Sequence, residues 1–339
     1  MTARVSDFLE CADERLGRVE ERVNVAIGLA LEIARRETLL VNCPSTSGAE
    51  ELRATLVAAG APAQNLVFAV VASDDTWARD HGPITVLDSG RPKLLDFQFN
   101  GWGNKYPAAA DNAITMELAQ RGVFASAVVE SVDLVLEGGS VESDGAGTLL
   151  TTACCLLHPQ RNPGLPRQHL EQRLCSLLGA ERVLWLEHGA LEGDDTDGHV
   201  DMLARFCPDD TIAYQSCTEP GYGAYRELKL METELNQLRS AGGKPYQLVP
   251  LPWPQARYAP DARRLPASYA NFLVINGAVL VPAYDDPADA LAAQQLQRCF
   301  PQRDVIPIPA GAVIQQYGSL HCLSMQFPQG VEFHTPTAG

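Results

Sequence analysis

Apolar and polar positions along this chain follow two alternating registers. Short runs rich in Leu and β-branched residues lead into a Pro, Gly or Asn turn. Stretches follow in which Leu, Ala and charged residues recur at helical spacing, and a second short apolar run closes the unit. This strand–helix–strand pattern occurs five times, opening at Thr38 ("TLLVNCPSTSG"), Lys93 ("KLLDFQFNGWG"), Thr148 ("TLLTTACCLLHP"), Thr211 ("TIAYQSCTEPG") and Ala278 ("AVLVPAYDDP"). The starts are 55, 55, 63 and 67 residues apart. One such unit cannot bury its apolar face alone, so the repeat predicts an α/β protein closed radially, a five-bladed pseudo-fivefold α/β-propeller. An ordinary α/β sheet is the competing arrangement. No long linker or low-complexity segment interrupts the series, and residues 1–339 are expected to form a single domain. The stretch "FLECADERLGRVEERVNVAIGLALEIARRE" and the later "PADALAAQQLQRCF" read as amphipathic packing helices.

The polar residues cluster after the second strand of each unit. The five clusters are "DDTWARDHGP" (Asp74 to Pro83), "EGGS" from Glu137, "DDTDGHVD" (Asp194 to Asp201), "SYAN" (Ser268 to Asn271) and "LHC" ending at Cys322. Equal phase in a pseudo-fivefold array means equal height along the axis, which would pool Asp80, Glu137, His199, Asp201, Asn271 and Cys322 at one end of a central channel. Several of these motifs also have structural readings. "WARD" suits a salt-bridged turn with Trp77 packed and Arg79 pairing a carboxylate. "EGGS" suits a turn whose glycines take positive φ. His199 and Asp201, two apart, share a face if their segment is a strand.

Composition narrows the ligand. The chain carries 42 Asp plus Glu against 26 Lys plus Arg, a net charge of −16. That balance disfavours nucleic-acid and anionic-membrane surfaces and attracts small cations. No signal pattern opens the chain, and no apolar run nears the roughly 20 residues that cross a bilayer, so a cytoplasmic protein is expected. Nine cysteines without a CxxC pair suggest reduced thiols. The seven histidines form no HExxH or Cys/His ligand cluster, so neither a metal nor another cofactor is expected. Cys11, Cys43, Cys154, Cys155, Cys175, Cys207, Cys217 and Cys299 read as packed thiols.

A guanidinium group fits the pooled inventory. It stays charged at physiological pH and pairs best with carboxylates that accept two parallel hydrogen bonds, a task for Asp80 and Asp201 on opposite sides. Its carbon is a poor electrophile and calls for a strong nucleophile above the plane, for which Cys322 as thiolate is the candidate. Neighbouring carboxylates raise the thiol's pKa in the empty site and a bound cation lowers it again. His199 would protonate departing ammonia and deprotonate the water that hydrolyses the S-linked intermediate, with Glu137 orienting the imidazole.

The blocks "WARDHGP", "FNGWGNK", "EGGSVESDGAGTLLTT", "DTDGHVD" and "SYANFLVINGAVLVP" resemble, in order, the signature motifs of the agmatine deiminase family, which includes bacterial peptidylarginine deiminases. The resemblance runs from about Arg36 to Pro328. It implies the pentein fold and guanidine hydrolysis without metal or organic cofactor. It also implies Cys322 as nucleophile, His199 as general acid/base, Glu137 as its acidic partner, Asp80 and Asp201 as the guanidinium pair, and Trp77 and Trp102 on the substrate channel. Asn271 is a further substrate contact, with Asn276 as the alternative, and Asp194, Asp195 or Asp197 would hold a distal ammonium. No Arg or Lys beside the motifs offers itself to a substrate carboxylate, which leans toward agmatine over arginine or peptidyl-arginine. The chain departs from the family at "QQYGSLHC" where GGGNIHC is usual, at Met202 where Asn is common, and in a short N-terminus without the usual leading strand. These departures favour the rival reading, a catalytically weak pentein binding a guanidine or polyamine. A homo-oligomer stays open.

Overall fold

The structure is a computed structural model that describes residues 2–3 and 16–336. Cys11 and the first residues of the N-terminal helical stretch lie outside the described residues. The chain opens with β1 (Thr2–Ala3), α1 (Leu16–Ala34), β2 (Leu39–Cys43), α2 (Thr46–Ala58) and β3 (Leu66–Val70). A helical turn α3 (Ala78–His81) leads to β4 (Ile84–Asp88), β5 (Arg91–Gln98), α4 (Gly101–Asn104), α5 (Ala109–Gln120) and β6 (Val128–Val135). The third module is β7 (Val141–Ser143), β8 (Thr148–Thr152), α6 (Ala153–Leu156), α7 (Arg167–Leu178) and β9 (Arg182–Leu186). The fourth is β10 (Ala204–Cys207), β11 (Thr211–Gln215), α8 (Tyr225–Gln237) and β12 (Gln247–Leu251). The fifth is β13 (Leu273–Ile275), β14 (Ala278–Ala283), α9 (Asp289–Cys299) and β15 (Asp304–Pro309), followed by β16 (Ser324–Met325).

All five strand–helix–strand units expected from the repeat are present, each as a parallel pair: β2/β3, β5/β6, β8/β9, β11/β12 and β14/β15. The opening strands β2, β8 and β11 are buried along their whole length, which is why they read as unbroken apolar runs. Each opening strand of the last four modules also has an antiparallel neighbour, β4, β7, β10 or β13. In the first module β1 lies parallel to β2 and antiparallel to β16. A leading strand thus precedes the first helix after all, two residues long. Among the described residues the strands form five separate small sheets, not the single sheet that competed with the propeller.

By contact density the chain divides into two compact units, residues 1–138 with 321–339, and residues 139–320. The first holds the β16-β1-β2-β3 and β4-β5-β6 sheets. Its core joins Leu40, Val67 and Leu94 to Ile114 and Leu118 of α5, capped by Phe124. Phe327 and Phe333 close over Phe124, with ring centroids 5.7 and 6.2 Å away, and the His334 N–H donates to the Val123 carbonyl at 2.8 Å. These contacts hold the chain just beyond Cys322.

The second unit holds the other three sheets. Arg205 on β10 ties them together. Its Nε meets Glu142 Oε2 of β7 at 2.7 Å, its Nη1 donates to the Phe272 carbonyl at 2.8 Å, and its guanidinium lies 4.8 Å from the Phe272 ring centre. A buried cation held this fully has its desolvation offset by partners on every side.

None of the eight described cysteines is in a disulfide. Cys43, Cys155, Cys217, Cys299 and Cys322 are buried, Cys175 and Cys207 are half-buried, and Cys154 is exposed. The packed reading of Cys154 is therefore corrected: the residue is exposed, and its thiol donates to the Asp197 carbonyl at 3.0 Å. Among the described residues no helix is long and apolar enough to cross a membrane.

Asp96 on β5 is only 8% exposed, and burial pushes its carboxyl up to about 6 against the smaller opposing influence of the nearby Thr115 hydroxyl. Folded Asp96 keeps its proton above the ordinary value of 3.8. Its favourable contribution is therefore full below that pH and is lost as pH rises through about 6. At about 1.4 kcal/mol per pH unit, Asp96→Asn should raise unfolding stability by roughly 3 kcal/mol at pH 8 and by little at pH 3. Urea titrations at both pH values would check this.

Candidate active site

The sequence-predicted residues fall into two sets, one in each unit. The first unit carries Trp77, Asp80, Trp102, Glu137 and Cys322; the second carries Asp195, His199, Asp201 and Asn271. All are buried except Asp195, which is half-buried.

In the first unit the chain rises from β3 into α3, where buried Trp77 is the N-cap and Asp80 sits in the first turn. Asp80 Oδ2 accepts the Trp102 indole N–H at 2.9 Å. Trp102 itself adopts left-handed backbone geometry (φ 55, ψ 49) between Gly101 and Gly103, which are also left-handed. For a residue with a Cβ that geometry costs about 1–2 kcal/mol. The surroundings hold it there: the Asn100 side chain caps the Gly103 N–H at 2.9 Å, and Phe99 and Tyr106 meet the indole edge-on at 4.9 and 5.7 Å between ring centroids. The "FNGWGN" block is thus a device for aiming one indole N–H at one carboxylate.

Cys322 is 5% exposed and precedes β16. Its carbonyl accepts the Arg79 backbone N–H at 3.0 Å. The Arg79 side chain runs along the same segment, donating through Nε to the His321 carbonyl at 3.4 Å, through Nη1 to Met325 Sδ at 3.3 Å, and through Nη2 to Gln326 Oε1. The sequence reading pairs Arg79 with a carboxylate; these partners are instead a carbonyl, a thioether and an amide of the Cys322 segment. Glu137 is followed by a 3-10 turn, Gly138–Ser140. Gly138 and Gly139 do not have positive φ, contrary to the turn reading of "EGGS". Gly138 is required by proximity: a Cβ there would lie 2.2 Å from the Arg79 carbonyl oxygen.

In the second unit His199 and Asp201 are fully buried, but not on a strand. His199 is the N-cap of a 3-10 turn, Val200–Met202. Asp197 and Gly198, at φ 67 and 84, break any extended run before it, so the shared-face argument does not apply. Side chains knit the preceding loop together. The Asp194 carboxylate accepts from the Thr196 hydroxyl at 2.6 Å and the Gly198 N–H at 2.8 Å, and Thr196 Oγ1 accepts the His199 N–H at 3.1 Å. Arg161, with its side chain wholly buried, meets Asp197 Oδ2 at 2.8 Å and donates to the Thr196 carbonyl at 2.9 Å. Asp194 and Asp197 thus build the loop. Sequence reading missed Arg161, because nothing in "HPQRNPG" marks its reach across the fold.

Asn271 Nδ2 approaches the Asp201 carbonyl at 3.5 Å. Its segment is locked by Ser268, whose hydroxyl donates to the Met202 carbonyl at 2.7 Å, and by Gln215, which accepts the Tyr269 N–H at 2.9 Å. Asn276 instead lies exposed with Gly277 (φ 72) in the β13–β14 hairpin, the ordinary place for an Asn-Gly pair. In the "QQYGSLHC" segment, Tyr317 takes left-handed geometry (φ 77) with Arg263 stacked 4.4 Å from its ring centre.

The family model of Porphyromonas-type peptidyl-arginine deiminases matches residues 11–328, and the chain belongs to this family. The agmatine deiminase of Pseudomonas aeruginosa (strain LESB58) is 32% identical over 323 residues, spanning 88% of this chain and 85% of that protein. A crystal structure from Porphyromonas gingivalis, of a protein provisionally called an arginine deiminase, shares 45% identity with a TM-score of 0.89, covering 98% of this chain and 95% of that one. The C. jejuni agmatine deiminase, solved as a cysteine-to-serine variant with substrate bound, shares 33% identity with a TM-score of 0.84, covering 95% of this chain and 90% of that one. The α/β pentein fold expected from the sequence is the fold of the chain.

Gly138→Ala should destabilise the protein by about 1–3 kcal/mol, the usual range for forced overpacking, because the atom in the way is backbone. The corresponding change at exposed Gly145, where nothing lies within 4 Å but φ is 69, is only a backbone-strain control. Thermal unfolding of the two variants should separate the effects.

Proposed function

We propose that the protein is an agmatine deiminase, hydrolysing the guanidinium of agmatine to N-carbamoylputrescine and ammonia through a cysteine S-linked amidino intermediate. The observation that carries this is the pairing of Asp80 with the Trp102 N–H beside an Arg79 bonded to the Cys322 carbonyl. A guanidinium-accepting carboxylate and a candidate thiol nucleophile are thereby tied to consecutive residues of one short turn. Support comes from relatives named agmatine deiminase, and from the C. jejuni enzyme whose cysteine-to-serine form holds substrate.

In this reading Asp80 and Asp201 accept the flat N–H fork and neutralise it. The Cys322 thiolate adds to the guanidinium carbon, forming a C–S bond. His199 gives a proton to the departing nitrogen as the C–N bond breaks and ammonia leaves. His199 then takes a proton from water, whose oxygen bonds to the same carbon, and the C–S bond breaks to regenerate the thiolate and release the ureido product, its surplus proton passing to the ammonia. Glu137 orients the imidazole, Trp77, Trp102 and Asn271 line the substrate's path, and Asp195 receives the distal ammonium. Atoms balance as one guanidinium plus water giving one urea plus ammonium.

The whole chain acts as one catalytic domain in the cytoplasm on a small cationic guanidine compound, without nucleic acid, membrane or cofactor; self-association stays open. A second reading, deimination of arginine or peptidyl-arginine, is favoured by the family's description and by the 45% identity to the Porphyromonas gingivalis structure. Ammonia release from agmatine, free arginine and a peptide ending in arginine separates the two. Agmatine should give the highest kcat/KM, and Cys322→Ala should lower turnover by at least about 10³-fold. Turnover of arginine compounds alone selects the second reading, and guanidine binding without ammonia release selects a pentein that has become a binding protein.

A further inference from the structure

Arg79 belongs to the "WARD" motif, and the chemistry proposed above leaves it unused. Its position is unusual in touching the neighbourhood of three candidate catalytic residues within one unit. Its backbone N–H donates to the Cys322 carbonyl at 3.0 Å, and its own carbonyl lies against Gly138, where a Cβ would come within 2.2 Å. Its peptide continues directly into Asp80, which the Trp102 indole holds at 2.9 Å. The side chain then spans the nucleophile's segment from the His321 carbonyl, on one side of Cys322, to Gln326 on the other. The residue is 8% exposed, so solvent cannot substitute for these contacts.

We infer that Arg79 is the positioning residue of the deiminase reaction, setting where the Cys322 thiol stands relative to the Asp80 carboxylate. This rests on the assignment of Cys322 and Asp80 above. A backbone hydrogen bond alone fixes one point of the Cys322 segment and leaves rotation about it. The guanidinium fork adds anchors before and after the cysteine, which removes that freedom. Lysine keeps the charge and the backbone N–H, but its single nitrogen cannot bridge the His321 carbonyl and the Gln326 amide together. Misplacement of a reacting group by about 1 Å costs on the order of 10²-fold in rate, while ground-state binding of the guanidinium through Asp80 is untouched.

The test uses Arg79→Lys and Gln326→Ala in the full chain with two readouts, steady-state kinetics on agmatine and the rate of Cys322 alkylation by iodoacetamide followed by mass spectrometry. Arg79→Lys should lower kcat about 30- to 100-fold with KM changed less than about threefold. Without substrate, it should also speed alkylation of the now loosely held Cys322 several-fold. Gln326→Ala, which removes one anchor and leaves Arg79 in place, should move both in the same direction by about threefold, and it decides the matter if Arg79→Lys does not fold. A purely structural arginine would lower the melting temperature and leave kcat per alkylatable site and the alkylation rate as in the wild type; that result overturns the inference. If the wild-type protein does not turn over agmatine, the functional reading falls, and the alkylation comparison still decides the role of Arg79.

Discussion

The hydrogen bond from the Arg79 N–H to the Cys322 carbonyl is the constraint around which the first unit is arranged. It joins segments separated by more than two hundred residues, so almost nothing local determines it. What makes it form is packing on both sides. The Phe124, Phe327 and Phe333 cluster holds the chain downstream of Cys322, and Gly138 lets the Glu137 segment close against the far side of Arg79. Remove either side and a single neutral backbone bond, contributing about 1 kcal/mol net, would not hold the geometry.

The second unit reaches the same end by other means. Buried polar residues satisfy backbone groups throughout the loops that carry His199, Asp201 and Asn271: Asp194 and Arg161 build one loop, Gln215 and Ser268 the other. In both units the candidate chemistry sits on loops and one-turn helices between regular elements, and the sheets serve as rigid mounts for them. Asp194 and Asp197 show charged groups serving as loop scaffolding.

Much of the architecture was legible because it repeats. Buried parallel strands and amphipathic helices leave strong periodic signals, and the five predicted module starts at Thr38, Lys93, Thr148, Thr211 and Ala278 each fall within two residues of an observed strand start. The antiparallel neighbours left no such signal. β7 has three residues and β4 is largely half-exposed, too short and too mixed for a period to appear. Positions that answer to contacts distant in sequence were also illegible. The glycine of "EGGS" looked like a turn glycine, yet its reason is a carbonyl oxygen on another strand connection. His199 looked like a strand residue because two left-handed residues before it, one of them an aspartate, gave no warning. Asn276 was separable from Asn271 only once the hairpin was seen.

The pairing of β16 with β1 and the late position of Cys322 also bear on how the protein is made. The ribosome delivers Asp80 and Trp102 first, then 220 further residues to reach the cysteine. At about 5–20 residues per second that interval is on the order of tens of seconds. Throughout it the nascent first unit has the Asp80 turn but lacks Cys322, and the edge of β1 that β16 will cover stands open to pairing with any other strand. The cysteine and the strand that covers that edge therefore arrive together, late in synthesis. On the proposed assignment of Cys322, an incomplete chain lacks the nucleophile and exposes that edge at the same time.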